Sequence, residues 1–101
     1  MSQVIVRYKV KPDQVDANEQ AVKAVFAELK QLAPQGLRYG TLLLDDGVTF
    51  VHIASVETAD GVNPLPGLAA FKDFQAGLKE RCDEPPVATQ GKIVGTFGIF
   101  D

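Results

Sequence analysis

Residues 37–56, LRYGTLLLDDGVTFVHIASV, read as a β-hairpin. The runs 37–44 and 48–56 are rich in Leu, Val, Ile, Phe and Thr, side chains that fit a pleated surface, and Asp45-Asp46-Gly47 between them is turn chemistry. Outward from the hairpin the period changes on both sides. From about residue 14 to 33, Val15, Val22, Val25, Phe26, Leu29, Leu32 and Ala33 share one helical stripe, while Glu19, Lys23, Glu28 and Lys30 stay off it. Pro34-Gln35-Gly36 stops this helix, because proline cannot continue the ladder and glycine readily takes the left-handed cap conformation. Downstream, Asn63-Pro64-Leu65-Pro66 predicts a loop that starts a second helix near Pro66. Leu68, Phe71, Phe74, Leu78 and Cys82 form its stripe, and Glu84-Pro85-Pro86 is expected to end it. Further out, residues 3–10 alternate as a strand, and a looser alternation runs from about Thr89 to Phe100, where Gly95 and Gly98 suggest bulges or close backbone approaches. The order is β-α-β-β-α-β. It predicts a ferredoxin-like α+β domain, a four-stranded antiparallel sheet with two helices on one face.

A chain of 101 residues makes one domain with one core. Ten Lys and Arg against thirteen Asp and Glu, at a net charge of -3, leave no basic footprint for a phosphate backbone, so nucleic acid is not an expected partner. Apolar runs such as Leu42-Leu43-Leu44 are far below the ~20 residues that cross a bilayer, so no membrane is expected either. Met1-Ser2-Gln3 passes straight into a strand without a signal-peptide pattern, and the single cysteine, Cys82, has no partner for an internal disulfide; both point to the cytoplasm.

A sheet covered by helices on one face and water on the other should alternate apolar with polar. The strand at 48–56 instead has Val48, Phe50, His52, Ala54 and Val56 on one side and Thr49, Val51, Ile53 and Ser55 on the other. The last strand likewise places Ile93, Phe97 and Ile99 on one side and Val94 and Phe100 on the other. Two helices cover one face only, so a second copy of the chain is expected to cover the other.

The segments Arg38-Tyr39-Gly40-Thr41-Leu42, Gly47-Val48-Thr49-Phe50-Val51-His52 and Ala69-Ala70-Phe71-Lys72-Asp73-Phe74-Gln75-Ala76-Gly77-Leu78 resemble the dimeric α+β barrel superfamily, in particular the antibiotic biosynthesis monooxygenase-like small domains. The resemblance implies a homodimer whose two sheets press together into a barrel. It also implies cofactor-independent monooxygenation of an aromatic or polyketide-like small molecule. Stress-related dimeric barrels resemble the chain as well, which implies a non-enzymatic ligand-binding or structural dimer as the alternative.

His52 is the only histidine and the one side chain whose ordinary pKa suits a base near pH 7. Two hairpin registers are open, and a one-residue slip exchanges the faces. A two-residue turn at Asp46-Gly47 puts Thr41 across from His52 with Tyr39 on the same side; a three-residue turn over Asp45-Asp46-Gly47, which Asp-Asp-Gly suits slightly better, puts Gly40 across and Arg38 on the His52 face. His52 is thus the candidate catalytic residue, with Tyr39, Arg38, Thr41 and Arg7 as candidate substrate-binding residues. The same base with an arginine holding a carboxylate would also suit isomerase or decarboxylase chemistry. An active site requires an apolar pocket of roughly 300 Å³ or more. Tyr8 reads as core packing, Cys82 as inert, and Asp45 and Asp46 as turn residues. No phosphate-binding Gly-rich loop, HExxH or GxSxG pattern occurs, so no nucleotide, flavin or metal cofactor is expected.

Overall fold

The computed structural model describes residues 2–98. Strand β1 (Ser2–Val10) leads through a short 3-10 turn at Pro12–Gln14 into helix α1 (Val15–Leu32), followed by the hairpin β2 (Leu37–Leu43) and β3 (Thr49–Val56). A second 3-10 turn, Leu65–Gly67, precedes α2 (Ala69–Arg81), which runs directly into β4 (Cys82–Gly91). The sheet is antiparallel throughout, in the order β2-β3-β1-β4. Both helices lie on one face: Tyr8, Val10 and Phe50 from the sheet share a core with Val22 and Val25 of α1 and Phe74 and Leu78 of α2. No described helix is long and apolar enough to cross a membrane.

The ferredoxin-like arrangement agrees with the sequence, but closure into a barrel does not. The sheet is open: β2 and β4 are its two edges and do not pair with each other. Its helix-free face carries exposed apolar side chains, Ile5, Leu42 and Val87 among them.

The last strand also departs from expectation. It begins at Cys82 and contains Pro85 and Pro86, where the sequence predicts a helix stop ahead of a strand from about Thr89 to Phe100. At an edge strand one of two successive missing N–H groups would face away from the sheet, where no neighbour needs it, and the other falls where the pairing with β1 is interrupted. The pairing of β4 with β1 slips between Arg7 and Lys9, opposite this pair of prolines, and again between Lys9 and Val10, opposite Asp83. Residues 92–98, with Gly95 and Gly98, lie outside the strand, with Val94 and Phe97 exposed. The expected strand end at Ile99 and Phe100 falls outside the described residues.

The cap of α1 is Ala33, not a glycine: it takes the left-handed conformation (φ 44°) and its N–H donates to Leu29 O at 2.7 Å. Pro34 behind it disfavours a helical backbone at Ala33. Gly36 has a different task. Its carbonyl accepts Glu57 N–H at 2.6 Å, its φ is +83°, and a Cβ there would stand 2.5 Å from Glu57 O. This contact ties the start of β2 to the end of β3.

Candidate functional site

The β2–β3 hairpin positions the site. Thr41 pairs with His52 and Tyr39 with Ala54, the first of the two registers allowed by the sequence. The turn differs from both alternatives. Leu44 N–H donates to Thr49 O at 2.8 Å, Gly47 N–H to Leu44 O at 3.0 Å, and the Asp46 carboxylate accepts Val48 N–H at 3.0 Å and Thr49 N–H at 2.9 Å. The Thr49 hydroxyl donates to the same carboxylate, and it is the first cause, ahead of the two backbone donors, that holds Asp46 down at about 2. A four-residue loop with an aspartate as its inner staple therefore preserves the register of a two-residue turn.

In this register Tyr39, Thr41 and His52 share the helix-covered face, where Tyr8 of β1 joins them. Tyr8 Oη lies 2.8 Å from His52 Nε2. On the other side of the ring, Nδ1 is 2.6 Å from Tyr39 Oη and 2.9 Å from Thr41 Oγ1. Asn18 of α1, 0% exposed, donates its amide N–H to Tyr8 Oη at 2.8 Å and accepts Arg81 Nε–H at 3.0 Å. A second Arg81 nitrogen donates to Phe74 O at 2.9 Å, and the guanidinium sits 5.7 Å from the centre of the Phe74 ring. Every buried side-chain polar atom among the described residues has a partner. A polar chain thus crosses the core from the end of α2 to β2, flanked by stacked rings.

Burial controls the electrostatics. It lowers His52 to about 4, because a charged imidazole would lose its hydration there, so His52 is neutral at pH 7. Burial raises Tyr39 to about 12 and lifts Tyr8 well above the usual phenol range. Both phenols keep their protons.

Next to this chain is a partly open cleft of about 150 Å³ between the sheet and α2, lined by Tyr8, Tyr39, His52, Phe71, Phe74 and Leu78 among others. That is half of the roughly 300 Å³ set out for an active site. A cavity near 150 Å³ holds one benzene-sized ring.

Arg7 and Arg38 do not join the cluster. Arg7 pairs with Val51 and Arg38 with Ser55, so both are on the opposite face of the sheet from His52. Arg7 lines a separate surface depression with Lys9, Asp46 and Glu84. Cys82 opens β4, half-buried, its thiol pushed up first by burial. The described residues hold no group of three His, Cys, Asp or Glu side chains placed to share a metal ion.

Asn18 and Arg81 are the residues that the sequence reading passed over. The signal was there: Asn18 stands three residues after Val15 and four before Val22, and Arg81 three after Leu78, so each is a polar residue on a buried stripe. A polar side chain at such a position needs a buried partner, and here each is the other's.

Fold and site together define a small ferredoxin-like protein with a histidine-bearing aromatic cleft. Neither a known family profile nor a curated protein matches the chain. Solved structures do. Rv0793 from Mycobacterium tuberculosis is 20% identical, over 94% of this chain and 96% of that one, with a TM-score of 0.76. A structure described as an antibiotic biosynthesis monooxygenase is 16% identical over 94% and 100%, with a TM-score of 0.76. A variant of SnoaB, a cofactor-independent oxygenase from Streptomyces nogalater, is 17% identical over 96% of each chain, with a TM-score of 0.62. At these identities the likeness is one of fold, and it spans nearly the whole chain.

Proposed function

We propose that the cleft beside His52 binds a single-ring aromatic molecule carrying a phenolic hydroxyl, and that the protein, acting in the cytoplasm, promotes oxygenation of that molecule by dioxygen without a cofactor. The carrying observation is a neutral imidazole, bracketed by three hydroxyls, that faces an aromatic-lined cavity of one-ring size. The likeness in fold to a cofactor-independent oxygenase supports the reaction type. For a phenol with an open ring position the balance is ArOH plus O2 giving a quinone and water: a C–H bond becomes a C=O bond, and the substrate supplies all four electrons. The protein's part is to hold the ring and to share the phenol proton, which Tyr8 Oη can take as its own proton moves to His52 Nε2.

The test is oxygen uptake with 2,6-dimethylphenol. His52→Gln, which keeps hydrogen-bonding capacity on the strand, is expected to reduce turnover at least about 100-fold, the usual contribution of a positioned proton acceptor, with the fold retained. Turnover equal to wild type in that variant would reject the His52 role. A second reading, a ligand-binding protein without catalysis, draws on a cleft of about 150 Å³, half the volume required of an active site, and on the fact that both ring nitrogens of His52 are already engaged. Binding of the phenol without oxygen uptake would select it.

The exposed apolar row Ile5, Leu42 and Val87 supports a homodimer through the helix-free sheet face. Sedimentation of wild type is expected to give a dimer at micromolar concentration and Ile5→Asp a monomer. A monomeric wild type would rule the dimer out.

A further inference from the structure

We infer that Arg81 and Asn18 are positioning residues that fix the tautomer of His52 and leave the Tyr39 O–H as a donor into the cleft, so that the site selects ligands presenting an acceptor oxygen, a carbonyl or a phenolate. This rests on the cleft being a ligand site, as proposed above, but the wiring is argued from hydrogen bonds alone.

A guanidinium donates only, so the atom of Asn18 that meets Arg81 Nε–H must be the amide oxygen. The amide NH2 is then turned toward Tyr8 Oη, which accepts from it. Tyr8 has one O–H of its own, and an NH2 group cannot accept it. Its other hydrogen-bond partner among the described residues is His52 Nε2, which therefore takes the O–H and is the unprotonated nitrogen. The neutral ring must carry its proton on Nδ1. That proton faces Tyr39 Oη at 2.6 Å, with Thr41 Oγ1 slightly further at 2.9 Å. Tyr39 Oη, the nearer of the two oxygens, accepts that proton, so its own O–H is not used on the ring. Tyr39 lines the cleft.

The direction is the same at every link, beginning at a cation: Arg81 to Asn18, to Tyr8, to His52, to Tyr39. Hydrogen bonds so aligned polarise one another, and the last donor is the strengthened one. A ligand oxygen with a lone pair finds a donor.

His52 is the only histidine, so its two ring nitrogens give the only imidazole signals in a long-range 1H–15N spectrum. In wild type at pH 7, Nδ1 is expected to be pyrrole-like and Nε2 pyridine-like. Asn18→Asp reverses the first arrows: the carboxylate, held ionised by Arg81, accepts the Tyr8 O–H, Tyr8 then accepts from Nε2–H, and Nδ1 becomes an acceptor that takes up the Tyr39 O–H. The two nitrogen signals should exchange character. The preference for acetophenone over ethylbenzene, which has two hydrogens in place of the carbonyl oxygen, should fall about tenfold, the worth of one hydrogen bond, with ethylbenzene affinity unchanged. If that variant does not fold, Tyr8→Phe serves: with no donor left for Nε2, the spectrum should show both tautomers. A pyridine-like Nδ1 in wild type overturns the wiring, as does a variant with the wild-type pattern. Failure of both probes to bind wild type instead removes the cleft as a ligand site and the ligand class with it, while the nitrogen spectra still decide the tautomer.

Discussion

Phe74→Ala is expected to cost about 3–5 kcal/mol of folding stability, the range for deleting a buried phenyl ring. The ring is 4% exposed and stands at the meeting point of the core: its centre is 5.5 Å from that of His52, 5.9 Å from Phe71 and 6.3 Å from Tyr8. Its loss removes the transfer free energy of the side chain, leaves a hole under the sheet, and takes away the surface on which the Arg81 guanidinium rests. Small domains unfold with about 5–15 kcal/mol in all, so this one change should consume a large share of the total. Urea denaturation midpoints at constant m measure it. Phe74→Leu fills most of the hole and should cost less than half as much. A loss below 1 kcal/mol for the alanine variant would mean that α2 does not press on the sheet here. Because Phe74 also lines the cleft, the hole and the cleft should merge. The variant is therefore expected to bind 1-naphthol more tightly than wild type does, although it is less stable.

The element order was legible because each periodicity is carried by large residues: Val22, Val25 and Leu29 in α1, and Leu68, Phe71, Phe74 and Leu78 around α2, have no alternative burial. The cluster of His52 with Tyr39 and Thr41 was legible only as one of two registers. The deciding contact is the Asp46 side chain folding back onto the N–H groups of Val48 and Thr49, which spends a four-residue loop on a two-residue register. Placement of β4 was missed for a related reason. Pro85-Pro86 reads as a breaker wherever both neighbours need donors, and only the sheet order shows that this strand has one neighbour. Barrel closure came only with the family resemblance; apolarity on both faces of the strands indicates a surface that can be covered and does not bring the edges β2 and β4 together. Asn18 and Arg81 were passed over because a stripe is ordinarily read by its apolar members. A polar residue in step with them points to a buried network more directly than the lone histidine does.

Acidification from pH 7 to pH 4 is expected to destabilise the protein by about 3 kcal/mol through His52 alone. In the unfolded chain its pKa is the ordinary 6.5; in the folded protein burial holds it at about 4. Between those values the unfolded state binds a proton that the folded state refuses, so stability falls as the pH falls, by at most about 1.4 kcal/mol per pH unit, and is flat in this respect above 6.5. The groups that face the ring give no relief. Tyr8 and Tyr39 have raised pKa values and are neutral throughout, and the charge of Arg81, reached through Asn18, has the same sign as an imidazolium. Geometry opposes the proton too. Protonation would place a donor on Nε2 against Tyr8, whose own O–H would then have lost its acceptor while Asn18 still points an N–H at the same oxygen. Asp46 and Asp60 have lowered pKa values, so their contributions are present above the ordinary carboxylate range and are lost below it, outside most of this window. The measurement is urea stability against pH for wild type and His52→Gln. The wild-type curve should bend downward below pH 6.5 with a slope approaching one proton, and the variant should lack that bend. If the two curves run parallel between pH 7 and 4.5, His52 takes up its proton as easily in the folded chain as in the unfolded one, and the imidazole is not the enclosed, neutral acceptor on which the proton-sharing role of the site depends.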